Sequence, residues 1–155
     1  MSLINQFAKA EMLIRKPVSE VFEAFINPEI TTKFWFTQST GRLQVAQPVE
    51  WTWEMYNMTI PITVKAIEPF KRILIEWGNP SDLTSVEWRF SELSTDATLV
   101  SIVNTIIGDD IEKAMAMVRD STEGFTLVLA GLKALLEYNI TLNLVGDRFP
   151  KGLNP

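Results

Sequence analysis

From Val49 to Ile107 the chain alternates apolar and polar residues in short runs parted by turn residues, and after Asp109 the period lengthens to three and four residues. That switch is the tightest constraint on the fold. It demands an antiparallel meander with one apolar face, then one long amphipathic helix to cover it. Val49, Trp51, Trp53 and Met55 oppose Glu50, Thr52 and Glu54; Met58, Ile60, Ile62 and Val64 oppose Thr59, Pro61, Thr63 and Lys65. After a turn at Pro69-Phe70, Ile73, Ile75 and Trp77 oppose Arg72, Leu74 and Glu76, and the run stops at Gly78-Asn79-Pro80. Val86, Trp88 and Phe90 oppose Ser85, Glu87 and Arg89, and Val100 and Ile102 share a face with Asn104. Between Gly41 and Ile107 this predicts five or six strands, each with one wet face.

The helical period carries Ile111, Met115, Val118, Thr122, Phe125, Leu129, Leu132 and Leu136. Asp109 and Asp110 are candidate caps, and a helix reaching Tyr138 is about 40 Å long at about 1.5 Å per residue. Gly124 and Gly131 interrupt it and mark close packing or a bend, since each costs about 1 kcal/mol against alanine. Ahead of the meander, residues 3–15 read as a strand that includes Leu3, and Pro17 ends it. Val21, Phe22, Phe25 and Ile26 then form a short helix stopped by Asn27-Pro28. A second short helix carries Ile30, Phe34, Trp35 and Phe36 up to the Ser39-Thr40-Gly41 turn. Residues 139–155, ending at Pro155, read as a partly ordered C-terminal extension; with no repeat or linker, 1–155 reads as one domain.

Composition narrows the function classes. A chain of 155 residues buries about 70% of its unfolded surface and needs no covalent staple. A net charge of −5 argues against nucleic acid, whose affinity draws on Lys and Arg. With no Cys and no His, thiolate chemistry, disulfides, the usual neutral-pH proton shuttle and the commonest metal ligand all drop out, so no metal or cofactor is expected. The first ten residues lack the pattern of a signal peptide, and no apolar run approaches the roughly 20 residues a bilayer requires, so no membrane insertion is expected. The expected location is the cytoplasm.

Several stretches resemble one family. Ile14 to Trp35, with Pro17-Val18-Ser19-Glu20-Val21-Phe22 and the Asn27-Pro28-Glu29 stop, looks like the opening of the START-like (SRPBCC) superfamily. Within it, the chain is similar to homologues of the C-terminal domain of the heat-shock-chaperone ATPase activator. Trp51-Thr52-Trp53-Glu54-Met55-Tyr56, Arg72-Ile73-Leu74-Ile75-Glu76-Trp77, Ser121-Thr122-Glu123-Gly124-Phe125 and the run from Leu142 to Pro150 add to the likeness, which spans nearly the whole chain. The resemblance implies an α+β helix-grip fold: a curved antiparallel sheet of six or seven strands around a long C-terminal helix, with two short helices after the first strand. The superfamily includes lipid carriers, polyketide cyclases, hormone receptors and chaperone partners, so the fold leaves the activity open.

The candidate site residues follow from the apolar faces. Four of the five Trp, namely Trp51, Trp53, Trp77 and Trp88, point inward, either as pocket lining or as core filling. Trp35 ends the second short helix, which the resemblance sets near a cavity mouth, making it a gate candidate. Asn104 is a polar group on an apolar face and needs hydrogen-bond partners, from a ligand, a backbone carbonyl or a water. Met55 and Met115, with Met58 and Met117, form a pliable wall or ordinary core, and Phe125 completes the helix side. Glu50, Glu54, Glu76, Glu87 and Arg89 fall on wet faces, where cross-strand ion pairing accounts for them. No glycine-rich phosphate loop, nucleophile elbow or zinc-protease helix is present. These features favour a non-enzymatic binder of a small hydrophobic molecule held between sheet and long helix. A cyclase or hydratase using the same cavity, and a chaperone-associated interaction module, are the alternatives. A homodimer is compatible with this reading, and a chaperone is the weaker partner.

Overall fold

The computed structural model describes residues 4–78 and 84–151. Leu3, the Asn79-Pro80 stop and Pro155 lie outside the described residues. Strand β1 (Ile4–Ile14) is followed by helices α1 (Val18–Ile26) and α2 (Pro28–Thr31), then β2 (Gln38–Ser39), β3 (Val49–Trp53), β4 (Met58–Glu68), β5 (Arg72–Trp77), β6 (Thr84–Ser94) and β7 (Ala97–Gly108). The long helix α3 (Ile111–Tyr138) and the single turn α4 (Leu144–Asp147) complete the order. All seven strands join one antiparallel sheet in the order β1-β7-β6-β5-β4-β3-β2. After β1 the α1–α2 crossover carries the chain to β2 at the opposite edge, and the meander steps back strand by strand to β7, which pairs with β1. Register shifts between Val64 and Ala66 and between Glu92 and Ser94 insert bulges, which bend strands and tighten twist, so the sheet curves around α3 as a helix-grip fold.

The alternation read from sequence sets the inner face. Val49, Trp51, Ile62, Val64, Ile73, Ile75, Val86, Trp88, Val100 and Ile102 are all buried. The outer face is ion-paired: Arg72 Nε lies 2.6 Å from Glu87 and Arg89 Nε 2.8 Å from it, while Glu76 pairs with Lys65 on β4 at 3.3 Å. Several expectations change. The second short helix is one turn, because Phe34, Trp35 and Phe36 are all buried and a helix cannot bury three successive residues on one narrow face. Asn27 caps that turn through its side chain, accepting from Glu29 N at 3.0 Å, and the chain then unwinds so that each ring enters the core separately. Ser39 lies in edge strand β2, paired with Trp51, before the turn proper.

The β3 alternation also stops at Trp53. Glu54–Tyr56 form a 3₁₀ turn that Asn57 closes in the left-handed region (φ 50°), so Met55 is exposed and does not continue the inner face. Helix α3 begins as expected, with Asp110 accepting from Lys113 N at 3.1 Å, and ends at Asn139 in the left-handed region (φ 54°). Its first turns are largely exposed apart from the buried Ala114. Ile111 and Met115 are exposed, whereas Phe125, Val128, Leu129 and Leu132 are buried. Gly131 lies against Phe34, where an added Cβ would sit 3.4 Å from that residue's Cβ and carbonyl oxygen. Gly124, two turns earlier, has nothing within 4 Å of the same point.

Candidate functional site

Where α3 stands off the sheet, a cavity of about 860 Å³ opens. Its sheet wall is Trp53 from β3, Met58 and Ile60 from β4, Trp77 and Gly78 at the end of β5, Thr84 at the start of β6, and Asn104 from β7. The helix wall is Met117, Ser121, Gly124, Phe125 and Val128, with Asp120 and Glu123 at the rim. Trp35 forms the inner end, and Tyr56, Val145, Arg148 and Phe149 close the outer one.

Aromatic contact holds the inner end. The Trp35 ring lies 4.9 Å from Trp51, 5.6 Å from Phe125, 6.0 Å from Trp88 and 6.1 Å from Trp77, measured between centroids, all at tilted or edge-on angles. At 6% exposure Trp35 is the hub of this cluster and has no position at a mouth. Trp77 stacks on Phe125 at 5.7 Å and 29°, tying β5 to α3 across the cavity. Trp51 and Trp88 sit behind this wall. Trp51 is stacked on Phe36 at 4.4 Å, and Trp88 is packed on Phe25 and Phe125. The buried Trp88 indole N–H has no protein acceptor among the described residues.

One polar cluster interrupts the apolar lining. Asn104 is 4% exposed, and its Nδ2 donates to the Ser85 carbonyl at 2.8 Å and to Thr84 Oγ1 at 3.1 Å. Its Oδ1 accepts from Ser121 Oγ at 2.8 Å, and Trp77 Nε1 donates to Thr84 Oγ1 at 3.1 Å. Asn104 therefore ties β7, β6 and α3 together, which answers its need for partners within the chain itself. At the outer end the Tyr56 hydroxyl donates to the Val145 carbonyl, Arg148 pairs with Glu123, and the Arg148 guanidinium lies 4.4 Å over the Phe149 ring. Burial raises the Tyr56 pKa above its usual value, outweighing the opposing influence of a backbone hydrogen bond and of Arg148, so the phenol stays protonated near neutrality. Arg148 is raised, first by its hydrogen bonds to Glu123.

Of the residues singled out by sequence, Trp35, Trp53, Trp77, Asn104 and Phe125 border the cavity. Trp51 and Trp88 are core behind it, Met55 lies on the exposed 3₁₀ turn near Gly146, and Met115 faces outward where Met117 faces the cavity. Sequence reasoning passed over Thr84, Ser121, Tyr56 and the closing residues of the tail. Gly124 carried a signal as a glycine inside a helical pattern. Among the described residues no group of three acidic, His or Cys side chains is arranged to hold a metal, and no helix is long and apolar enough to cross a membrane.

The model of the Activator of Hsp90 ATPase homolog 1-like family matches residues 15–137. The chain belongs to that family. It is thereby a START-like protein, as the helix-grip architecture also indicates. This family member is similar in structure to SSP2350 from Staphylococcus saprophyticus, at 25% identity and TM-score 0.75 over 88% of this chain and 96% of that one. It also resembles the Aha1 dimer from Colwellia psychrerythraea, at 14% identity and TM-score 0.73 over 86% and 97%. A third match is DynU16, a putative protein of the dynemicin biosynthetic locus, at 18% identity and TM-score 0.76; the chain covers 87% of itself and 48% of that protein. No curated protein matches the chain.

Proposed function

We propose that this protein binds a small hydrophobic molecule between its curved sheet and α3. One observation carries the reading: a space of about 860 Å³ bounded by Trp35, Trp53, Trp77 and Phe125. Small-molecule sites typically enclose about 300–1,000 Å³ and are mostly apolar with a few convergent polar groups. Trp53, Trp77 and Phe125 supply ring surface, and Asn104 organises the polar end. A molecule that binds only the folded state raises the melting temperature by mass action, about 2.7 kcal/mol of stabilisation at a hundredfold excess over Kd. A panel of apolar aromatic and acyl compounds is expected to include members that raise it; a broad panel that leaves it unmoved contradicts the reading. The absence of Cys fits action in the reducing cytoplasm.

A cyclase or hydratase in the same cavity is the second reading, favoured by Asp120 at the rim beside Ser121. Tyr56, which borders the cavity with its pKa raised by burial, is a second titratable group there and also favours this reading, although its hydroxyl is engaged by the Val145 carbonyl. Turnover that disappears in Asp120→Asn while ligand binding persists would move the protein to that class. The family name brings a chaperone into view as a partner and the Aha1 dimer brings a second copy; stoichiometric recovery with a chaperone, or a doubled mass in light scattering, tests each.

A further inference from the structure

The hydrogen-bond polarity of the cavity's polar end defines the ligand more narrowly, on the carrier reading above. The Ser85 carbonyl can only accept, so the Asn104 group 2.8 Å from it is the Nδ2 amide nitrogen, and both of its hydrogens are used, on Ser85 and Thr84. The Asn104 Oδ1 can only accept, so Ser121 Oγ is the donor in their 2.8 Å bond. Trp77 Nε1 can only donate, and so Thr84 Oγ1 accepts twice, from Trp77 and from Asn104, at 3.1 Å each. Two results follow. Thr84 has both lone pairs occupied and keeps its hydroxyl proton to give. Ser121 has spent its proton and keeps lone pairs to receive. Both residues border the cavity.

Charge adds a second restriction. Arg148, the cation among the described cavity residues, is paired with Glu123, and Asp120 adds a further negative charge at the rim. An anionic head would enter without a free counter-charge and past carboxylates, an unfavourable desolvation.

We propose that the ligand is an uncharged apolar molecule whose polar end carries a hydrogen-bond acceptor for Thr84 and a donor for Ser121, as in a primary amide or a neighbouring carbonyl and hydroxyl. Thr84 and Ser121 are then specificity-determining residues, and Asn104 is a positioning residue that fixes the sense of both.

Four probes with one aromatic body test this: pyrenebutanamide (acceptor and donor), its dimethylamide (acceptor only), pyrenebutyrate (charged acceptor) and butylpyrene (neither). Kd is read from tryptophan-to-pyrene energy transfer. The primary amide is expected to bind about tenfold tighter than the dimethylamide, the weight of one buried hydrogen bond, with pyrenebutyrate and butylpyrene weaker still. Ser121→Ala, which suits a helix, is expected to erase the amide's advantage over the dimethylamide and leave butylpyrene unchanged. Thr84→Val should weaken both amides alike. Equal binding of all four probes, or tightest binding of pyrenebutyrate, overturns this inference while leaving the carrier reading intact. Binding of none overturns both.

Discussion

The interface between α3 and the sheet has a packed end, around Gly131, and a hollow end, around Gly124 in mid-helix, although both present the same kinds of residue. Around Gly131 the missing side chain lets the helix close on Phe34, and Phe25, Phe36 and Trp51 fill the space behind. Around Gly124 the missing side chain meets nothing within 4 Å, and Trp77 and Phe125 border a cavity. The difference lies in the backing. Helix α1 and the unwound segment after α2 drive aromatic rings into one end, whereas the other is roofed by the 3₁₀ turn and the short tail helix. An aromatic residue thus has no fixed role in this fold; what stands behind it decides whether it is core or lining.

Substitutions at paired positions test this contrast. The largest effect is expected from Trp51→Ala, which deletes an enclosed ring (1% exposed) and costs about 3–5 kcal/mol in chemical denaturation. Trp77→Ala truncates a half-buried ring beside open space and is expected to cost less than half as much; equal losses would mean that the two ends are packed alike. Next, Gly131→Leu forces a side chain into Phe34 and is expected to destabilise by about 1–3 kcal/mol, whereas Gly124→Ala should gain up to about 1 kcal/mol from helix propensity with no clash. Destabilisation by Gly124→Ala would show that the hollow end is closed.

A pH scan addresses the packed end. Burial pushes the Glu137 carboxyl up, but hydrogen bonds from the Lys133 ammonium and the Arg15 amide outweigh it, and its pKa sits below the usual 4.5. A lowered folded pKa gives stability that is complete above pH 4.5 and lost as the pH falls through the folded value. The melting-temperature gap between the wild type and Glu137→Gln is therefore expected to be widest above that pH and to close on acidification. A gap that widens in acid contradicts the assignment. The smallest effect belongs to Arg148→Ala at the hollow end, where both partners of the ion pair are largely exposed and the loss is expected to stay under about 1 kcal/mol.

The sheet was legible in the sequence because its period of two survives turn by turn from Val49 to Val100, and the long helix because its period of about 3.6 does the same. Legibility failed where local patterns compete with tertiary demands. Phe34, Trp35 and Phe36 look helical beside Ile30, but all three successive rings are buried, which one narrow helix face cannot do. Met55 continues an alternation that the Glu54–Tyr56 turn cuts short. The cavity itself depends on the distance between helix and sheet, a quantity no residue pattern carries; the helical repeat puts Met115 on the inner face, but Met115 is exposed and Met117, about 200° further round the helix, borders the cavity. Asn104 was visible as a polar residue on an apolar face. Its partners Thr84 and Ser121 were not, since strand pairing and helix rotation bring them together only in three dimensions.

Native mass spectrometry of the freshly purified protein alongside Gly124→Trp, whose side chain would enter the cavity, asks whether the hollow end holds an apolar molecule. An added small-molecule mass is expected on the wild type, released on unfolding and absent from the variant. The bare chain mass for both, with no uptake of added apolar compounds by either, would contradict it.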